Sequence, residues 1–166
     1  MLELKPISKD AAPAALERAE RYRLLNEPME AESICLDVLE ADPGNQRAIV
    51  IMLLALTDQF DTRLGATFAA ASALLARLED PYARAYYDGV ICERRAKAHM
   101  KRGGHGARFQ AYEWLQRALV HFEEAESLRP ENNDESILRW NTCVRMLERH
   151  PELEPGLKET AEHMLE

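Results

Sequence analysis

The sequence predicts an all-α protein of about seven or eight helices arranged as antiparallel helix hairpins. Three observations carry that expectation. Ala, Leu, Glu and Arg, all good helix formers, are abundant throughout. Alternating β-branched stretches are missing, and the apolar run Ala48-Ile49-Val50-Ile51-Met52-Leu53-Leu54 continues into Ala55-Leu56, which suits a buried helix. Prolines, glycines and capping residues then cut the chain into pieces of helical length.

The first helix is expected from Asp10 or Ala12 to Leu25, with Pro13 tolerated in its opening turn. Asn26 is placed to cap a second helix that opens at Glu27-Pro28 and stops before Asp42-Pro43-Gly44. A third spans about 45–59. Asp61 or Thr62 is expected to cap a fourth, which ends near Glu79-Asp80-Pro81. A fifth runs from about Tyr82 to Lys101 and breaks at Gly103-Gly104; the sixth occupies about 107–128 and ends before Pro130. Asn132-Asn133-Asp134-Glu135 offers an N-cap, with Glu135 three residues on, for a seventh helix within about 133–150. A short eighth is expected at about 155–165. The hairpins are then about 10–43, 45–81 and 82–130, within one domain covering 1–166, a length suited to a single core.

Composition narrows the function. The chain is 46% hydrophobic and 30% charged, close to an ordinary globular protein. No apolar run reaches the roughly 18 residues that span a bilayer, and Met-Leu-Glu-Leu-Lys-Pro lacks a signal-peptide layout, so a cytoplasmic protein with no membrane association is expected. Cys35, Cys92 and Cys143 form no CxxC or CxxH pair and sit in helical apolar patterns, where cysteine acts as a small hydrophobe. The net charge of −8 argues against nucleic acid as a partner, but it is uneven. Residues 1–45 carry 5 basic against 10 acidic side chains, 46–83 carry 3 against 4, 84–108 carry 7 against 2, and 109–166 carry 6 against 13.

A spacing recurs. Ala31, Cys35, Val38 and Pro43 are separated by four, three and five residues; Ala69, Ala73, Ala76 and Pro81 repeat those steps, as do Ala118, Phe122, Ala125 and Pro130. The alanines at the head of each set are expected where one helix crosses its partner closely. The first hairpin adds Ala19 and Tyr22 ahead of Ala31 and Pro43, a small–aromatic–small–proline pattern. On these residues the chain, over about 12–130, resembles the tetratricopeptide repeat (TPR) family, which implies a right-handed superhelix of hairpins. Leu16 and Arg18 stand where that family favours Trp and Leu, and Cys35 replaces its usual Phe. Successive prolines are 38 and 49 residues apart, from positions 43, 81 and 130, against a family repeat of about 34. The third hairpin is therefore expected to have unusually long helices. Ile137, Trp140, Val144 and Leu147 form a helical stripe expected to cover the exposed end of the last hairpin, with Trp140 in the core.

Chemistry-bearing motifs are scarce. There is no GxSxG, P-loop or HExxH. His99, His105, His121, His150 and His163 do not pair with one another at metal-ligand spacing within a helix. Glu159 and His163 are four apart, but two ligands make a surface pair rather than a site. Glu123, Glu124 and Glu126 read as a solvated face. No catalytic residue, metal ligand or cofactor is expected. Gly89, inside a predicted helix, is expected to pack closely on Ala118 or its neighbours. Tyr82, Tyr86 and Tyr87 are expected in the core or lining the groove, with the core favoured for Tyr86.

The basic stretch from Glu93 to Arg108 supports two readings. Its cations complement a helix C-terminus and its glycines end the helix, a structural role. Alternatively, Arg102, Gly104, His105 and Arg108 gather positive charge and open backbone at the start of the next helix, an anion-binding arrangement. Contact with RNA through Arg94, Arg95, Lys97, Lys101 and Arg102 is disfavoured by the acidic remainder.

The TPR resemblance implies a non-enzymatic adaptor that binds a peptide or protein segment on the first helix of each hairpin. That face would comprise Leu16, Glu20, Arg23, Val50, Leu54, Asp58, Tyr86, Val90 and Arg94. Members of the family that clamp a C-terminal carboxylate use Lys, Asn and Arg there. Glu20, Val50 and Leu54 do not fit that clamp, so an apolar or basic segment is the expected partner. Two alternatives from other classes are a small-molecule or anion sensor using the 101–108 loop, and a homodimer or larger self-assembly through the long third hairpin.

Overall fold

The computed structural model describes residues 1–153, and among them every regular element is helical. They divide into two compact units, 1–79 and from 80 onward, with the boundary where the second and third expected hairpins meet. The expected helix at 155–165 and the Glu159–His163 pair lie outside the described residues.

The first unit opens with a 3-10 turn at Lys9–Ala11, then α1 (Ala12–Leu24), α2 (Pro28–Ala41), α3 (Gln46–Thr57) and α4 (Phe60–Leu75). Short turns make successive helices packed neighbours, and α1 also touches α3. Asn26 does not cap α2. It ends α1 in the left-handed region at φ 59°, with its N–H donated to Arg23 O and the Glu27 N–H to Tyr22 O. That is a Schellman arrangement, for which Asn is the best residue after Gly. Pro28 then starts α2, where its missing N–H costs nothing.

Asn45 caps α3 by accepting the Ala48 N–H at 2.9 Å. Packed against α1, α2 and α4, α3 is buried nearly all round, from Ala48 and Ile49 to Leu56 and Thr57. The expected Asp61 or Thr62 cap is replaced by a kink. α4 begins at Phe60, and Arg63 leaves helical geometry at φ −136°, ψ 37°. The buried Gln59 side chain anchors this corner, donating to Ala55 O and Glu32 and accepting from Arg63.

Burial tests the repeated spacing. Ala31, Cys35 and Val38 are fully buried, as are Ala118, Phe122 and Ala125. Ala69, Ala73 and Ala76 are exposed. In α4 the inward stripe is Leu64, Thr67, Ala71 and Leu74 instead. The physical reason is area: burying two leucines gains more than burying three alanines, so the helix turns its larger side chains inward.

The second unit comprises α5 (Pro81–Arg102), α6 (Ala107–Leu128) and α7 (Glu135–Arg149). The first two are each 22 residues long, matching the expected stretched hairpin. Ala107, Ala111, Leu115, Ala118, Phe122 and Ala125 form one buried stripe against α5. Gly89 is the point of closest approach: a Cβ placed there would come within 2.6 Å of the Phe122 ring, one turn beyond Ala118.

The α7 expectation needs two corrections. Asn132 lies at φ 65°, and Asn133, not a capping box, accepts the Glu135 N–H at 3.1 Å. The buried residues of α7 are Ser136 and Cys143, while Trp140 is 37% exposed. The helix is rotated because Glu93 of α5, with no exposure at all, demands a cation. Arg139, between Ser136 and Cys143, points in to meet it at 3.2 Å, and Lys97 closes the other side at 2.6 Å.

Candidate functional site

In the first unit, the expected contact residues assemble into one face, less Leu16. On α3, Arg47, Val50, Leu54 and Asp58 recur at steps of three, four and four, and so lie along one side of the helix. Facing them on α1 are Glu20 and Arg23. Arg47 Nη2 meets Glu20 Oε2 at 2.9 Å, and Arg23 grips Asp58 with two bonds, Nε to Oδ2 at 2.7 Å and Nη2 to Oδ1 at 3.3 Å. The half-buried Val50 and Leu54 thus lie along a stripe closed at both ends by ion pairs. Leu16 is only 2% exposed. It belongs to the core beneath α1, because it shares the Ala12–Leu16–Ala19 stripe that packs inward.

On α5 the expected contact residues differ in exposure. Val90 has no exposure and is buried with Ile91. Arg94 is half-buried. Tyr86 is half-buried within a ring cluster, stacked on Tyr82 at 5.8 Å, edge-on to Tyr87 at 5.0 Å and 5.9 Å from Phe122. Tyr86 is also among the groups that raise the pKa of Arg139, after burial, which lowers it, and Glu93. Tyr86 is therefore a packing residue at the junction of α5, α6 and α7.

The glycine loop turns on three left-handed residues, Gly103, Gly104 and Gly106 at φ 65°, 94° and 75°, and no side chain caps α6. Gly104 and Arg108 line a cavity of about 380 Å³ with His150, Glu152 and Leu153, whereas Arg102 and His105 are exposed outside that lining. The four expected anion contacts are thus divided. A carboxylate shares the cavity, since His150 Nδ1 lies 2.9 Å from Glu152 Oε1, a contact that holds Glu152 below its usual pKa. A negative charge already stands beside Arg108, which works against a second anion.

Two groupings escaped the sequence. Trp114 is flanked by guanidinium groups, Arg95 at 4.1 Å and Arg117 at 4.5 Å from its ring centroid. Beside it on the same hairpin, Asp88, Cys92 and His121 bring a carboxylate, a thiol and an imidazole within 4.8 Å of one another. Asp88 and Cys92 are one turn apart and were legible as a pair. His121 joins them only through the α5–α6 register, which places Phe122 against Gly89. Burial pushes all three thiols, Cys35, Cys92 and Cys143, up to about 12, so none is a nucleophile near neutrality.

Comparison with known proteins adds no relative: no family model, curated protein or solved structure matches the chain. No helix among the described residues is long and apolar enough to cross a membrane.

Proposed function

We propose that this chain is a divergent TPR-like, non-enzymatic interaction protein of the cytoplasm, which captures a basic protein segment bearing apolar anchors on its α1–α3 face. The observation that carries the reading is the stripe itself: Val50 and Leu54, half-buried and one turn apart, lie between the Arg47–Glu20 and Arg23–Asp58 ion pairs. Such a strip has an apolar centre to desolvate and a polar rim to set register, the division of labour found in protein interfaces. The charge of the partner follows from the surroundings. Residues 1–79 carry 8 Lys and Arg against 13 Asp and Glu, a net of −5 that favours a cationic segment and speeds its encounter.

The test is fluorescence anisotropy against a synthetic peptide panel, with Leu or Phe anchors flanked by Lys and Arg in one set and by Glu and Asp in the other. The basic set should bind and the acidic set should not. Val50→Ser/Leu54→Ser should weaken binding about tenfold or more, equivalent to about 1.4 kcal/mol, and Glu20→Lys should weaken it independently. Equal affinity for both sets, or affinity untouched by these changes in a protein that keeps its helical circular dichroism, would contradict the reading.

A further inference from the structure

We propose that Asp88, Cys92 and His121 form a site for a divalent transition metal of the zinc type, bridging α5 and α6. The argument starts from the donors. A thiolate, an imidazole and a carboxylate together suit Zn²⁺ and its neighbours, and are poorly matched to Mg²⁺ or Ca²⁺, which take all-oxygen sets.

The geometry is close to what such an ion needs. Cys92 Sγ is 3.9 Å from Asp88 Oδ1, and His121 Nε2 is 3.6 Å from Asp88 Oδ2. Ligands held at the usual zinc distances in a tetrahedron are separated by about 3.3–3.7 Å. Those two distances end on different oxygens of the Asp88 carboxylate, and with one donor atom from each residue the three lie within 4.8 Å of one another. Side-chain rotation that brings them about 1 Å closer would close them on one ion. The other nitrogen of the same imidazole, Nδ1, lies 4.0 Å from Glu124 Oε2. That is beyond hydrogen-bond distance, so Glu124 stands near the ring without fixing it.

The backbone holds the donors in register. Asp88 and Cys92 are i and i+4 on α5, His121 projects from α6, and Gly89, next to Asp88, meets Phe122, next to His121. A Cβ at position 89 would press on the Phe122 ring, so the glycine leaves room for the packing that sets this register. Cys92 is buried, while the side chains of Asp88 and His121 are 37% and 28% exposed, so the site has a dry floor and an open mouth. An ion can enter there, and water can take the fourth position.

Charge also balances. On binding, the Cys92 thiol proton leaves to solvent, and thiolate plus carboxylate neutralise the two positive charges of the ion. The resulting link between α5 and α6 would stabilise the hairpin when loaded.

The experiment is a Co²⁺ titration of the full chain under a metal-free reductant, followed by back-titration with Zn²⁺. The expected result is one cobalt per chain, with a thiolate-to-cobalt charge-transfer band and tetrahedral visible bands, both erased by zinc. Cys92→Ala and His121→Ala should abolish the charge-transfer band or weaken cobalt affinity at least tenfold. Cys35→Ser and Cys143→Ser should leave both unchanged. Because His121 is partly exposed, its variant keeps the test valid if loss of Cys92 impairs folding. A second readout is thermal: Zn²⁺ should raise the Tm of the wild type but not of His121→Ala. Absence of a thiolate band in the wild type, or a band or zinc-dependent Tm shift that survives His121→Ala, would overturn the proposal.

Discussion

Glu93 shows how one residue can set the orientation of a helix. Its carboxylate has no solvent exposure, and a charge taken out of water is tolerated only when paired. Lys97 lies one turn along the same helix, whereas Arg139 must come from α7. Arg139→Ala leaves a buried carboxylate with half its compensation, and should cost about 3 kcal/mol by denaturant unfolding. Glu93→Leu combined with Arg139→Met should recover most of that loss, because the buried charge goes with its partner. The cysteines supply a pH prediction. Burial raises each thiol from an ordinary 9.0 to about 12, so the folded chain holds protons that the unfolded chain has released between those values. Stability should be undiminished by these groups below pH 9 and should fall as pH rises from 9 toward 12, as followed by urea midpoints. Glu93 was hidden in the sequence by its position inside a basic run. Its signal was an acidic side chain beside the small residues Gly89, Cys92 and Ala96, which belong to a packing stripe.

At the scale of elements, most helix boundaries were readable because they rest on local chemistry. Pro28, Pro81 and the Gly103–Gly106 turn act on their own neighbourhoods, as does the Asn45 cap. Helix faces were less legible. The Ala31–Cys35–Val38 and Ala118–Phe122–Ala125 spacings mark buried stripes, yet the same spacing in Ala69–Ala73–Ala76 lies in solvent because Leu64 and Leu74 pull α4 the other way. Trp140 was displaced by the needs of Glu93 on another helix. Facing elements decide both outcomes, and a single helix carries no record of its neighbour. The α5–α6 contact makes a prediction at this scale. Gly89→Ala places a methyl group against the Phe122 ring and should lower stability by about 1–3 kcal/mol. Adding Phe122→Leu should return part of it, a coupling that a double-mutant cycle measures directly.

At the scale of the whole chain, charge is uneven along the sequence: residues 1–79 are net acidic, residues 84–108 carry 7 basic against 2 acidic side chains, and residues 109–166 carry 6 against 13. The α1–α3 face belongs to the acidic first segment. The TPR resemblance named Glu20, Arg23, Val50, Leu54 and Asp58 together, and the structure brings them onto one face. Leu16 and Val90 are buried instead, because a family resemblance does not say which of two adjacent stripes of this chain turns inward. Capture of a basic segment should weaken as salt rises, because screening over about 8–10 Å at physiological ionic strength removes the longer-range attraction. The most direct measurement is an amide chemical-shift titration of the isotope-labelled chain with the tightest Lys- and Arg-flanked Leu or Phe peptide. The account predicts shifts concentrated on Glu20, Arg23, Arg47, Val50, Leu54 and Asp58, lost in Val50→Ser/Leu54→Ser. Shifts concentrated instead on Gly103 to Arg108, or no saturable shift at all, would contradict it.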